Sequence, residues 1–242
     1  MAEPLVYENQ NFVSAWKMKV FNMEINNILI LSILSFVACT QAPQHEKFDS
    51  LKDVLPYYDE ATFTPHWLAP ENESLHTFHR ISPFAFVNQE GDTITERDFE
   101  GKIYVVDFFF TICPGICPKM TENMTILQDE FLHDDEVLLL SHSVTPEIDS
   151  VPALKRYAEV KGISSKTWHL VTGSQQEIYK LGRQDYFVEE DLGLAKKEDE
   201  FLHTENFVLV DQSRHIRGIY NGLNKTSIKQ LITDIKTLKR ES

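Results

Sequence analysis

Cysteine is scarce in this chain: three residues among 242, an odd number that leaves at least one outside any internal pair. Long apolar runs are scarce too. The run over 28–38 is only 11 residues, broken by two serines, and is too short to span a bilayer as a helix. Positive charge is in deficit, with 23 Lys and Arg against 37 Asp and Glu and a formal charge of −14. That balance argues against nucleic acid as a partner, which would call for a basic patch. There is no internal repeat and no low-complexity block. What remains is ordinary for a globular protein, 42% hydrophobic and 25% charged residues, in a length that fits one large domain or two small ones.

The odd cysteine is Cys39. Lys19 precedes the short apolar run, Ala38 stands directly before Cys39, and polar residues follow. The arrangement suits the apolar region of a secretory signal. It resembles a bacterial lipoprotein signal, in which the cysteine becomes the lipidated first residue of the mature chain. Met18 offers an alternative start. The expected organisation is a signal over 1–38, a tether and approach segment over 39–80, and one domain over 81–242. The expected location is the bacterial cell envelope, on the exported side of the membrane, anchored at Cys39 or by residues 28–38. Thiols outside the cytoplasm are not held reduced by glutathione, so a cysteine pair there is oxidised unless it is actively reduced or protected by a metal.

From residue 82 the pattern becomes regular. "PFAFVNQEGDTI" reads as two short strands about a turn at 90–92, and "TERDFEG" as a helical turn closed by Gly101. "IYVVDFFF" is β-branched and aromatic on both faces, as a central buried strand should be. A helix follows over 119–132, with Met120, Met124, Leu127 and Phe131 on its core face. Then come a strand over 136–144, a helix over 151–161 stopped by Gly162, and the strand "TWHLVTG". A helix capped by Ser174 and Glu177 stops at Gly182, and an acidic loop occupies 183–202. A hairpin over 207–222 and an amphipathic helix over 226–240 close the chain. Alternating β and α elements imply an α/β fold with three layers, a central mixed sheet and an N-terminal β-hairpin extension. The order, with its cysteines between the first core strand and helix, resembles the thioredoxin fold.

The remaining cysteines stand in "DFFFTICPGICPKM", Cys113 and Cys117, each followed by proline. They fall at the carboxyl end of a central strand, where open α/β sheets build their sites. They also fall at a helix N-terminus, whose unpaired N–H groups and dipole favour thiolate. Gly115 gives the loop freedom in φ and Pro118 suits a first helical turn. Two soft sulfurs so placed suit copper(I) or zinc, and they could equally close a disulfide. A merely stabilising bridge is a poor reading, because so short a loop gains little from closure. A metal would need a further donor, and nine histidines compete. His142 ends a central strand; His203 stands where the acidic loop meets the hairpin. Asp107, a charge inside an apolar strand, is either a buried carboxylate tuning Cys113 or an Asp hydrogen-bonded at the sheet margin. Met120 and Met124 fit a core stripe better than a ligand pair. No arginine lies in the cysteine loop, which counts against a thiol peroxidase.

Taken together, "FFFTICPGICPKM", "LSHSVTPEIDSVPALKRYA", "WHLVTG" and "FLHTENFVLVDQSRHIRGIYNG" resemble the Sco/SenC family of copper proteins, over about residues 82–238. The resemblance implies a metal site made of Cys113, Cys117 and His203. It implies binding of copper(I) and copper(II), and delivery of copper to the dinuclear site of cytochrome c oxidase subunit II, whose disulfide the protein would also reduce. A thiol reductant for the cysteine pair is then a partner, as is the membrane through Cys39. Leu202 and Thr145 stand where many members carry Asp. The competing reading is a membrane-tethered thiol–disulfide oxidoreductase, for which Cys113 and Cys117 are the catalytic redox pair and His203 is not needed.

Overall fold

The computed structural model describes residues 54–189 and 201–241. The expected signal, Cys39 and most of the acidic loop lie outside them. Among the described residues no helix is long and apolar enough to cross a membrane.

β3 (Ile103–Phe109) is buried along its whole length, because both of its faces are covered. Ile103, Val105 and Phe109 pack on one side; Tyr104, Val106 and Phe108 pack on the other. β4 (Val137–Ser143) runs parallel to β3, and β5 (Trp168–Thr172) parallel to β4. β6 (Asn206–Val210) lies antiparallel on the other flank of β3 and pairs with β7 (Ile216–Asn221). The hairpin of β1 (Ala85–Asn88) and β2 (Thr93–Thr95) adds antiparallel to β5. The sheet therefore has seven strands in the order β2-β1-β5-β4-β3-β6-β7, mixed as the sequence predicts.

Helix α1 (Cys117–Phe131) buries Met120, Met124, Leu127 and Phe131 against one face. α2 (Val151–Lys161) adds Leu154 and Ala158 to the same cluster, and α4 (Lys225–Glu241) adds Ile228, Leu231, Ile235 and Leu238. Each such large side chain removed from water contributes on the order of 2 kcal/mol. The opposite face is covered by α3 (Gln175–Lys180) through Ile178 and Tyr179, and by the turn that follows it. The result is the three-layer thioredoxin-like α/β arrangement. Met120 and Met124 are core residues, at 1% and 0% exposure.

α2 ends at Gly162, whose φ of 68° lies in the left-handed region and whose N–H caps the Ala158 and Glu159 carbonyls. A Cβ there would meet nothing within 4 Å, so only the backbone resists a side chain. Gly162→Ala is accordingly expected to cost about 1 kcal/mol in chemical denaturation, and Gly162→Asn less.

Two regions differ from the sequence expectation. The helix at 175 does not stop at Gly182; the chain passes through it in a π-helical turn, Leu181–Asp185. The approach segment, read as a loose tether, is docked from residue 54 onward. Tyr57 bridges to His66 and Tyr58 to Ile216 of β7, and Tyr57 and Leu75 are buried. Arg217 explains why. Its guanidinium donates to the carbonyls of Leu55 and Pro56, to Asp211 and to Glu241, and lies 3.8 Å over the Tyr57 ring. Leu55 N donates in turn to Glu241. The segment has no long regular element, so no periodicity marks it as folded.

Candidate metal centre

The chain leaves β3 at Phe109, turns at Thr111–Ile112, and re-enters regular structure at Cys117, the first residue of α1. Ile116 is the N-cap and offers no side-chain cap, while Pro118 occupies the first turn, where a missing N–H costs nothing. Gly115 does not use left-handed backbone. The freedom in φ expected of it is therefore not what the loop requires. A Cβ at Gly115 would stand 3.9 Å from Cys113 Sγ, in ordinary contact.

Both cysteines are free thiols. Cys117 is 5% exposed, packed into the α1 core; Cys113 is half-buried at the rim. The two sulfurs are near enough to shift each other's proton affinity, and they are chemically unequal. Burial raises the Cys113 thiol, but the bond from Cys117 and the backbone N–H groups of Cys117, Gly115 and Ile116 outweigh it and bring it below the ordinary value. Cys117 is pushed up to about 12 by burial, by the hydrogen bond to Cys113 and by the nearby Cys113 and Asp107 charges, against the opposing Phe110 N–H. The helix N-terminus thus favours one thiolate, at Cys113, with Cys117 as its donor.

Asp107 is not at the sheet margin. It is 2% exposed in the central strand, beneath the site, and accepts a hydrogen bond from Ser141, which accepts one of 2.8 Å from Trp168 Nε1. Burial holds its carboxyl up at about 7 against that bond. His142, the rival third donor, is on the other face of the sheet. It is fully buried and stacked on Phe108 at 5.0 Å, with Phe84, Phe86 and Tyr186 around it. Burial drives it down to about 3, a neutral ring walled off from the sulfurs.

His203 is exposed, and its N–H donates to Glu189 Oε1 at 3.4 Å. Its segment reaches the cysteine end of β3, since Phe201 sets its ring edge-on against Phe110 at 5.5 Å. Nevertheless, among the described residues no group of three His, Cys, Asp or Glu side chains is close enough to hold a metal ion. The structure brings Cys113 and Cys117 together and does not bring His203 to them.

Sequence reasoning missed Asp149. Its carboxylate is fully buried and accepts from Thr111 N at 3.3 Å, from the Thr111 hydroxyl, from Ser143 Oγ at 2.6 Å and from Thr145 Oγ1 at 3.1 Å. It ties the cysteine loop to the β4–α2 turn. An acid just ahead of a helix reads as an ordinary N-terminal preference, which hid this role.

A family model described as SCO1/SenC matches residues 72–240. The chain belongs to the SCO1/SenC family. It is 33% identical over 164 residues to the SCO1 protein homolog of Bacillus subtilis, a match covering 66% of this chain and 82% of that protein. It spans about half the length of two mitochondrial relatives, 57% of the SCO2 homolog of Danio rerio and 48% of the SCO1 homolog of Homo sapiens. Three solved structures of the family are similar. A SCO1/SenC lipoprotein from Bacillus anthracis superposes with a TM-score of 0.58 at 31% identity, covering 66% of this chain and 95% of that one. BsSco, described as having a disulfide switch and as a member of a family of cytochrome c oxidase assembly proteins, gives 0.57 at 32%, covering 67% and 94%. Arabidopsis thaliana ScoI, solved with copper bound, gives 0.51 at 26%, covering 66% and 98%. The family's fold is therefore the frame in which this site is built.

Proposed function

We propose that the protein is a membrane-tethered copper metallochaperone that serves cytochrome c oxidase assembly, delivering copper to the dinuclear site of subunit II. The observation that carries this reading is the pair of free thiols beyond the end of β3, Cys113 half-buried and shifted toward thiolate, Cys117 buried and shifted the other way. Copper is the cargo. Two thiolates suit copper(I), and the imidazole of His203, carried beside the loop by the Phe201–Phe110 contact, is the third donor that completes the site once copper is held. Ligands must be deprotonated, so loading weakens as pH falls. Ile112, the residue before Cys113, and Phe201, set against Phe110, are 63% and 44% exposed and give a partner an apolar landing near the cysteine loop. A lipid anchor at Cys39 holds the protein on the exported face of the envelope; the description of the Bacillus anthracis relative as a lipoprotein supports it.

A second reading rests on the inequality of the thiols and on the missing third donor. As a thiol–disulfide oxidoreductase, the Cys113 thiolate attacks a target disulfide, forming a mixed disulfide and expelling one target thiolate. Cys117, deprotonated, then attacks the Cys113 sulfur. The second target thiol leaves, the target gains two electrons, and a Cys113–Cys117 disulfide remains for an external thiol reductant to reset.

The test is copper uptake by the reduced full-length protein in detergent. Wild type is expected to take one equivalent of copper(I). Cys113→Ser should reduce affinity at least a hundredfold, and His203→Ala roughly tenfold while leaving disulfide reduction intact. A fully reduced wild type that retains no copper would sink the metallochaperone reading and leave the oxidoreductase.

A further inference from the structure

The residues ahead of His203 are fastened to the strand that leads into the cysteine loop. Leu202 is 1% exposed and belongs to the apolar cluster on the face opposite α1. It fills the space that Gly182 leaves: a Cβ at Gly182 would lie 2.8 Å from Leu202 Cδ1 and 3.0 Å from Phe108 Cε1. A Cβ at those distances would force the Leu202 side chain to shift and press on Phe108, so the glycine, Phe108 of β3 and Leu202 form a socket and its plug. Phe201 grips the outside of the same strand end through Phe110. On the third side Glu189 accepts the His203 N–H and, through its other oxygen, Arg183 Nε at 2.7 Å. The backbone at 201–203 is thus held on three sides, while the imidazole stays exposed.

We propose that Leu202 is the positioning residue for the histidine donor. Seated between Phe108 and Gly182, it fixes the backbone from which the His203 ring is brought to Cys113 and Cys117 when copper binds. This rests on the reading of His203 as a ligand. The physical gain is preorganisation: each residue whose backbone must be ordered when the metal binds weakens binding roughly tenfold, and a plug already seated in the core removes that penalty for its neighbour. An Asp at 202 could not occupy such an apolar socket without a partner, so in this chain the leucine and the glycine go together.

The test measures copper(I) affinity by chelator competition, and the thiolate-to-copper(II) charge-transfer absorption, on the full-length protein in detergent. Leu202→Ala is expected to weaken copper(I) about tenfold and to move the absorption band in the same direction as His203→Ala. Leu202→Met, which refills the socket, should keep both near wild type. Gly182→Ala, which crowds the plug, should act like Leu202→Ala, and hydrogen exchange at the amides of residues 202–206 should quicken in both. Once His203 is already Ala, Leu202→Ala should weaken copper no further. If Leu202→Ala lowers the melting temperature yet leaves affinity and band unchanged, while His203→Ala alters both, the leucine is only a core residue and the proposal is wrong. If His203→Ala changes neither, the ligand reading fails first and takes the proposal with it.

Discussion

Replacing His142 by Leu should convert a shallow dependence of stability on pH into a steep one, falling by on the order of 4 kcal/mol between pH 4 and 7. The reason lies in two buried groups on neighbouring strands with opposite proton balances. Burial holds Asp107 at about 7, against an ordinary 3.8. Between those values the folded protein keeps a proton that the unfolded chain has released, so stability is lost as pH rises through the window. Burial holds His142 at about 3, against an ordinary 6.5. There the unfolded chain carries the proton and the folded one does not, so stability is gained as pH rises and lost as it falls below 6.5. The two slopes overlap and oppose each other across most of the range. His169, shifted downward by burial, adds to the rising slope. Asp134 and Asp211, also shifted downward, act below their ordinary 3.8, and the exposed Glu60 and Glu122 act only below 4.5, at the acid edge of this window. Removing His142 exposes the Asp107 slope; Asp107→Asn should expose the opposite one, with stability rising over the same interval. Urea denaturation at half-unit steps from pH 4 to 7.5 reads both. A flat His142→Leu profile, with a wild type that rises with pH, would show that folding leaves the proton affinity of Asp107 unchanged.

Asp149→Ala should cost on the order of 3–5 kcal/mol and lower the melting temperature by roughly 10 °C. The carboxylate is an acceptor for the Thr111 N–H and for the hydroxyls of Thr111, Ser143 and Thr145, and it is fully buried. Its loss leaves those donors in a dry cavity without an acceptor. The damage should also reach the site, because Thr111 lies two residues from Cys113. Alkylation of the Cys113 thiol by iodoacetamide is expected to accelerate several-fold. Thr111→Val, which removes one hydroxyl and keeps the backbone donor, should cost about 1 kcal/mol and alter alkylation little. A melting temperature within 3 °C of wild type for Asp149→Ala would mean that the loop is held by something else.

The parts of the fold that follow from local pattern were legible before any coordinates. β3 announces itself by β-branched and aromatic residues on both faces, α1 by its apolar spacing, and the end of α2 by Gly162. The cysteine loop was legible because its position between strand and helix fixes its surroundings. What was not legible depends on partners distant in sequence. Asp149 acquires its meaning from Thr111, Gly182 from Leu202 and Phe108, and Arg217 from residues 55–57 and Glu241. Glycine at 182 reads as a stop signal on its own; only the side chains that occupy its empty side show that the backbone continues through it. Likewise Asp107 looked marginal because a charge in a strand usually is, and Ser141 and Trp168, which line its pocket, lie more than thirty positions away.

The Arg217 cluster has a mechanical consequence. It ties Leu55 and Pro56 to Glu241 near the end of α4, next to Asp211, which follows the β6 end paired with the start of β3. The cysteines follow the other end of β3, seven residues and about 20 Å of strand away. Tension arriving through the chain ahead of residue 54 is therefore taken up at the pole opposite Cys113. The load falls on a guanidinium rivet that joins residues 55 and 56 to Glu241.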